Sequence, residues 1–498
     1  MLSRFNHARH AAIVAAAAVV IAGASATAAN AGTLTSGAAA SSPGAAVAAG
    51  AQGPDVAAGK ATPVSPRKLA DETRLADQCT PAGLDALFEK ATPLGAEAGS
   101  QYAGKKAVTC LSTSKPSADP AVAAARGKVL DAGRSQGRDS SGQQKANLPL
   151  PADCYQHVGE GWRGDRTGQC QIRDLTGDVF LKDVRTGAKI WVGQVKWLEF
   201  DYTFTTFDID RWASQIRTAK YWGVGWGDID AFSTVRGFSI CLCDAKPVEE
   251  TGFTPSSFRK DTANDASASY ESTRGEPGGI GYNQTSWEYR LKVFLSDPST
   301  PIDSPNPDVR CDNAFTDDGN DSGDPALNAR ATVGAGCVFY KVLPVMVYSK
   351  TGLYPTLAEH IGAAQGSGLP GAYPAGAVLN RMTDSAKRRQ NGDKACPPSP
   401  TWLRPSGKSC DEYPFRSTIQ GASTQQPAGS ARTFAPPNTE WCEMDPAWGV
   451  PTGVVGPAGW SSCMIDKRDN SLGGSALGVF YRTNRVLDGD PFKVWIQP

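Results

Sequence analysis

The chain has 498 residues, 40% of them hydrophobic, with 50 basic and 50 acidic side chains, so its formal net charge is zero. This length allows two or three domains with real cores and excludes a small peptide-like protein. A net charge of zero neither favours nor opposes a nucleic-acid partner.

The first 31 residues predict a secretory signal peptide. Basic Arg4 and Arg9 precede an apolar run over residues 11–22, and small residues with Ala-x-Ala steps follow it. This run is too short to span a membrane, and no later run reaches the ~20 apolar residues that a spanning helix needs. We therefore expect a secreted, extracellular protein with no membrane contact after cleavage. An uncleaved N-terminal anchor is the alternative.

Two stretches before residue 151 are expected to build little structure. Residues 32–70 are rich in Ala, Gly, Ser and Pro and nearly uncharged, which predicts a disordered linker. Residues 71–150 predict a small element, helical around residues 84–88, that one disulfide closes. From residue 117 onward this segment is again rich in Ala, Gly, Ser and Gln, so we expect a mobile linker there.

Twelve widely spaced cysteines predict a disulfide framework in an oxidising compartment. A zinc site is disfavoured because only Cys241 and Cys243 are closely spaced and only His157 and His360 follow residue 31. We expect the pairs Cys79–Cys110, Cys154–Cys170, Cys396–Cys410 and Cys442–Cys463. Cys241, Cys243, Cys311 and Cys337 should pair among themselves, in an order that the sequence leaves open.

Residues 151–349 predict an antiparallel, β-sandwich-like accessory domain. Apolar and polar side chains alternate over residues 198–205 and again over 287–293. Period two indicates half-buried strands, so Glu199 and Asp201 are expected on a polar, solvent-facing side. No catalytic group stands out. The tryptophans are expected in the core rather than on a ligand platform; they are Trp191, Trp197, Trp212, Trp222 and Trp226.

Residues 409–421 are the most informative stretch, because Asp411 and Glu412 stand together beside Tyr413-Pro414-Phe415. Two carboxylates at a strand end can hold a cation or serve as a general base. From the residues alone, a solvated surface pair is the commoner outcome.

A basic segment precedes this acid pair. Residues 376–408 contain seven basic and two acidic side chains, a local charge of +5 in a neutral protein. Such a patch attracts phosphates without reading bases. Because it lies just before two acids, we favour phosphate binding over a merely solvated basic face.

The stretch 409–421 resembles the signature of the NucA/NucB family of secreted deoxyribonucleases, which reads Asp-Glu-Trp/Tyr-Pro followed by Glu/Gln-Gly. Further motifs fall in the order of that family on both sides, and the resemblance covers about residues 350–498, under a third of the chain. These motifs are Tyr354-Pro355, Glu359-His360-Ile361, Lys387-Arg388-Arg389-Gln390, Asp469-Asn470, Gly473-Gly474 and the run from Arg485 to Phe492.

The resemblance implies a compact ββα-metal nuclease domain over residues 350–498. Its elements would be a strand with Asp411, a second strand around residues 432–434, and a helix that Asp469 or Asn470 caps. Another short helix would carry His360, and residues 485–495 would form a last strand. The expected fold class is therefore α+β, with a small N-terminal region, a central antiparallel β-sandwich-like domain and this C-terminal nuclease domain.

The resemblance also implies the chemistry. Asp411 would be the general base, with Glu412 and His360 as further catalytic candidates. One divalent metal ion, Mg²⁺ or Mn²⁺, would be held by Asn470, with Glu412 or Asp469 as further ligands. The expected substrate-binding residues are Lys387, Arg388, Arg389, Arg485 and Gln420, the last standing where several relatives have Glu.

The expected function is a secreted, metal-dependent endonuclease that hydrolyses extracellular DNA with little sequence specificity, binding the phosphate backbone. The alternative is an extracellular binding protein. In that case the β domain contacts cell wall or polysaccharide, and the C-terminal domain is a degenerate nuclease-like fold.

Overall fold

The structure is a computed structural model that describes residues 78–114, 117–134, 148–315, 334–434 and 440–498. The expected signal peptide and the linker over residues 32–70 lie outside the described residues. The fold is mixed α+β and mostly β. No helix within these described ranges is long and apolar enough to cross a membrane.

The described part of the chain contains five α-helices and nineteen strands. The helices are α1 (Pro81–Lys90), α2 (Pro120–Arg134), α3 (Pro355–Gly366), α4 (Ser385–Ala395) and α5 (Lys467–Thr483). The strands are β1 (Lys105–Thr113), β2 (Arg163–Gly164), β3 (Gly168–Asp183), β4 (Lys189–Thr206), β5 (Ile209–Gly225), β6 (Thr234–Cys243), β7 (Ala245–Thr251), β8 (Phe253–Ser257), β9 (Ala263–Ser272), β10 (Ile280–Lys292), β11 (Ile302–Pro305), β12 (Val309–Asp312), β13 (Gly336–Val338), β14 (Val345–Ser349), β15 (Leu379–Asn380), β16 (Lys408–Tyr413), β17 (Ala431–Arg432), β18 (Trp460–Asp466) and β19 (Pro491–Gln497).

Two antiparallel sheets share the largest core. The first has the order β1-β3-β4-β5-β9-β7 with β2 beside β3, and the second has the order β13-β12-β10-β6-β8 with β11 beside β10. Trp197 from the first sheet and Tyr289 from the second are buried in one cluster. Strand β1, from the segment expected to form a separate small element, pairs with β3 along its whole length.

Strand β4 is buried on both faces, which corrects the expectation of a solvent-facing polar side. Leu198 and Phe200 lie in a cluster with residues of α2. Glu199 and Asp201 are both 0% exposed. Period-two alternation separates the two sides of a strand, but it does not reveal what covers each side.

The buried acids of β4 are held by a hydrogen-bond network between the sheets. Arg173 pairs with Glu199 Oε1 at 2.6 Å. Gln171 Nε2 and Ser304 Oγ donate to Asp201 Oδ2 at 2.9 and 3.0 Å. Asp201 Oδ1 has no partner among the described residues. Two fully buried carboxylates thus lie beside one guanidinium that keeps 15% of its surface exposed.

Asp201 predicts a pH-dependent stability. Burial is the main cause that raises the pKa of Asp201 well above its ordinary value, and the carboxylate of Glu199 adds to it. The folded state therefore keeps a proton that the unfolded chain loses near pH ~3.9. Its free energy of unfolding should fall as the pH rises above that value. We expect Asp201→Asn to flatten this fall in urea titrations at several pH values. An unchanged slope, equal to that of an exposed Asp208→Asn control, would contradict the assignment.

Helix α2 corrects the expectation of a mobile linker after residue 117. The segment is rich in alanine, the strongest helix former. Its Val122 and Leu130 are buried against the first sheet, which fixes the helix in place. Residues 135–147 of that predicted linker lie outside the described residues. The expected helix around residues 84–88 is present as α1.

All twelve cysteines are paired in six disulfides. The four expected pairs are confirmed. The four cysteines whose pairing the sequence leaves open form Cys241–Cys243 within β6 and Cys311–Cys337 between β12 and β13. Of the five tryptophans expected in the core, Trp197, Trp212 and Trp226 are buried, whereas Trp191 is 47% exposed.

The last 154 residues form two small sheets around a second core. In one, β19 lies between β14, to which it is parallel, and β15, to which it is antiparallel. In the other, β18 lies between antiparallel β16 and parallel β17. Helices α3 and α5 pack on this arrangement, as in the buried cluster of Leu357, Phe480 and Val494.

The order strand, strand, helix is present in this region, but its second strand is not the expected one. Strand β18 is the partner of β16 and runs directly into α5, whereas residues 431–432 form only the short β17. Helix α5 begins at Lys467, and Asp466 caps it by accepting from the backbone N–H groups of Arg468 and Asp469. The last strand is Pro491–Gln497 rather than residues 485–495.

Candidate active site

A sealed chain of three polar side chains marks the centre of the C-terminal region. His360 Nδ1 lies 2.5 Å from Asp411 Oδ2, and His360 Nε2 lies 2.9 Å from Ser461 Oγ. His360 and Ser461 are 0% exposed. The Asp411 side chain keeps 8% of its surface exposed. Its Oδ1 has no protein partner among the described residues. One carboxylate oxygen is therefore fixed, and the other is hydrogen-bonded to no described residue.

The register of the two strands creates this cluster. Asp411 lies opposite Cys463, and Tyr413 lies opposite Ser461, so these side chains share one face of the sheet. Helix α3 covers that face and brings His360 onto it. The close packing needs a glycine, because a Cβ at Gly473 of α5 would stand 2.1 Å from Leu357 of α3.

Glu412 lies on the opposite face of β16. Its cross-strand partner Ser462 donates to the Ala395 carbonyl of α4 at 2.6 Å, on the side away from α3. Burial is the main cause that raises the pKa of Glu412 to about 7, while Arg416 opposes this shift and Asp411 adds to it. The structure therefore does not bring the two adjacent acids to one point.

The predicted ligands on α5 also point apart. Asp469 Oδ2 accepts from the backbone N–H and the hydroxyl of Thr356 at 2.9 and 2.8 Å, so it caps the start of α3. Asn470 Nδ2 donates to Ser409 Oγ and to the Cys410 carbonyl, both at 2.9 Å, which ties α5 to β16. Consecutive helical residues differ in direction by about 100°, so these two side chains serve different neighbours.

The residues expected to bind a metal ion are not arranged so that they could bind one cation together. Glu412 lies behind the strand, Asp469 caps another helix, and only the Asn470 side chain lies on the face of Asp411. Within the described ranges, no three His, Cys, Asp or Glu side chains are grouped so that they could hold a metal ion.

The basic segment is only partly available to a ligand. Lys387, Arg389 and Lys394 of α4 are exposed. Arg388, predicted to bind phosphate, is buried at 8% exposure. The remaining cations are engaged: Arg381 lies over the Phe315 and Tyr481 rings, Arg404 donates to the carbonyls of its own loop, and Lys408 pairs with Glu443.

Arg485 is not available to a phosphate, which corrects its predicted role. Its side chain is 0% exposed. Arg485 Nε and Nη2 bind Asp312 of β12, and Nη1 donates to the carbonyls of Phe207 and Gly334. Nearby, Arg310 binds Asp490 through two contacts at 2.8 and 3.1 Å. These buried ion pairs join the C-terminal region to the two large sheets.

Gln420, predicted near the substrate, is engaged with strand β15. Its Nε2 donates to Asn380 Oδ1 at 2.9 Å, and its Oε1 accepts from Asn380 N at 3.0 Å. Both ends of the amide are thus used to hold the loop after β16 against the neighbouring sheet.

Ser461 is the site residue that sequence reasoning missed. It lies on β18, a strand that the residue pattern did not reveal, and no motif surrounds it. Only its register opposite Tyr413 would have placed it beside His360.

Comparisons with protein-family models, with curated proteins and with solved structures find no match to this chain.

Proposed function

We propose that this chain hydrolyses phosphodiester bonds of DNA, with Asp411 as the general base. The observation that carries the proposal is the Asp411–His360 pair, in which one carboxylate oxygen is fixed and the side chain keeps 8% of its surface exposed. It lies on a strand–strand–helix unit, β16-β18-α5, in the region where the sequence resembles the NucA/NucB deoxyribonucleases.

The proposed chemistry uses three features of the chain. His360 holds Asp411 Oδ2, which leaves Oδ1 to take a proton from the attacking water. Asn470 ties α5 to β16, the strand that carries Asp411. The exposed cations Lys387 and Arg389 belong to α4, on the face of β16 away from Asp411, so they hold the flanking DNA backbone rather than the phosphate under attack, without reading bases.

A role outside the cell belongs to the same proposal. Six disulfides favour an oxidising compartment. The sequence of the first 31 residues adds the features of a signal peptide. The substrate would then be extracellular DNA.

The test is nicking of a supercoiled plasmid by the purified, disulfide-intact chain. Parallel reactions would contain Mg²⁺, Mn²⁺ or a chelator, because dependence on a divalent ion is implied by the resemblance and not by the geometry. Conversion to nicked and linear forms is the expected result. Intact plasmid in every reaction, with well-folded protein, would contradict the proposal.

The exposed cations predict a salt-dependent DNA affinity. If Lys387 and Arg389 each neutralise one phosphate, the double change Lys387→Gln/Arg389→Gln should weaken binding at low salt. The slope of log K against log salt should become shallower by about 1.8. Fluorescence anisotropy with a labelled duplex at several salt concentrations measures this slope. The change Lys246→Gln, on strand β7, is the control, and equal slopes for all proteins would contradict the assignment.

A binding role for the β region is the second candidate. The outer face of the second sheet exposes Phe238, Leu242 and Tyr282 at 52%, 64% and 53%. Exposed apolar groups of this kind mark interaction surfaces. Retention of the full chain on cell-wall polysaccharide, lost on Tyr282→Ala, together with an intact plasmid in the nicking test, would favour this candidate.

A further inference from the structure

The chain of contacts behind Asp411 ends inside the protein. Ser461 Oγ lies 2.9 Å from His360 Nε2 and 3.3 Å from the Tyr413 carbonyl oxygen. His360 and Ser461 are 0% exposed, and the Phe434 and Trp441 rings lie near the imidazole with centroids 6.1 and 6.4 Å away. A proton passed from Asp411 to His360 and Ser461 would therefore have no route to solvent beyond Ser461. These hydrogen-bonded side chains cannot serve as a proton relay.

The hydrogen-bond donors and acceptors of Asp411, His360 and Ser461 constrain one another. An ionised Asp411 can only accept, so His360 Nδ1 must carry the proton that it donates. A neutral imidazole with its proton on Nδ1 must then accept at Nε2. The atom nearest to Nε2 is Ser461 Oγ, whose hydroxyl is closer to this nitrogen than to the Tyr413 carbonyl.

We propose that Ser461 is a positioning residue: its hydroxyl donates to Nε2 and holds His360 as the neutral tautomer with the proton on Nδ1. This tautomer presents an N–H to Asp411 Oδ2 and leaves the other oxygen, Oδ1, free of His360. The effect of Ser461 on catalysis rests on the proposed function. The assignment of the His360 tautomer does not depend on that function.

Burial excludes a different role for the same three residues. The order Asp411, His360, Ser461 is that of a hydrolase triad. A nucleophilic serine must reach its substrate, however, and Ser461, the second residue of β18, is 0% exposed. Ser461 therefore acts through His360.

The first experiment measures the tautomer directly. The full chain would be labelled with ¹⁵N-histidine, and the ring nitrogen shifts of His360, identified by their loss in His360→Gln, would be read by NMR. A protonated Nδ1 and an unprotonated Nε2 are expected. An imidazolium with both nitrogens protonated, or a proton on Nε2 alone, would overturn the proposal.

The second experiment uses matched variants. Ser461→Ala should lower kcat of plasmid nicking by about 10-fold to 100-fold with little change in KM, because a misplaced base loses rate rather than binding. Ser461→Cys, which keeps a weak donor, should recover part of this loss. Ser462→Ala is the control, since Ser462 is equally buried and donates to the Ala395 carbonyl on the other face.

The two proposals fail in different ways. If the wild-type chain nicks DNA and Ser461→Ala matches Ser462→Ala in kcat, the positioning role of Ser461 is wrong. If the wild-type chain leaves DNA intact while His360 has the expected tautomer, the proposed function is wrong and the hydrogen-bond assignment stands.

Discussion

Asp411→Asn is expected to lower the rate of plasmid nicking by about 100-fold or more, which is the usual contribution of a general base. Asparagine has nearly the same shape, and its carbonyl oxygen can still accept from His360 Nδ1. Its amide nitrogen, however, has no lone pair that can take a proton from water. The fold should persist, so the loss will be visible as a rate at unchanged circular dichroism and unchanged unfolding midpoint.

The control for this change is Glu443→Gln, a carboxylate that is 51% exposed and pairs with Lys408. It should nick DNA as fast as the wild type. If Asp411→Asn nicks DNA at the wild-type rate, the base lies elsewhere. Glu412 would then be the next residue to test, because burial raises its pKa to about 7, a value suited to proton transfer near neutral pH.

Arg485→Met is expected to lower the free energy of unfolding by about 3 kcal/mol, because the buried carboxylate of Asp312 loses its two-point partner and keeps only the more distant Arg310 Nε, 3.4 Å away. Both side chains are 0% exposed. The guanidinium also satisfies the carbonyls of Phe207 and Gly334, which would lose their donors. Urea unfolding of the purified chain measures the loss, and Arg468→Ala, an exposed arginine of α5, is the control.

A double variant separates the two causes of this loss. Arg485→Met combined with Asp312→Asn removes both charges, so it should be less destabilised than the sum of the single changes. If Arg485→Met unfolds at the urea concentration of the wild type, the buried ion pair does not hold the two regions together.

Local sequence patterns predict which helices and strands form in this fold. They predict less well what surrounds each side chain. Cysteine spacing was sufficient for four disulfides, and apolar periodicity placed α1 and the helix with His360. The sequence pattern does not reveal strand β18, because its side chains are buried on both faces and apolar and polar residues therefore do not alternate. The alternation in β4 was real, yet its polar side faces the other sheet.

The candidate site shows the same limit. Asp411 and His360 could be named from short motifs, but their pairing depends on the packing of α3 against β16 and β18. Arg389 and Arg485 are the same residue type, each in a motif that resembles the NucA/NucB pattern. One is exposed on a helix, and the other is enclosed by Asp312 and backbone carbonyls. Charge in a sequence does not reveal whether a partner has already been supplied from 173 residues away.

The parallel pairing of β14 with β19 has a consequence for how the C-terminal region forms. Val345 pairs with Lys493 and Ser349 pairs with Gln497, although almost the whole region lies between them in the chain. Closing so long a loop costs entropy before any contact is gained, and such distant contacts slow folding. On a ribosome, β14 emerges well before its partner. A nascent chain therefore carries an unpaired apolar strand until β19 arrives, and completion of the C-terminal region is a late step of synthesis.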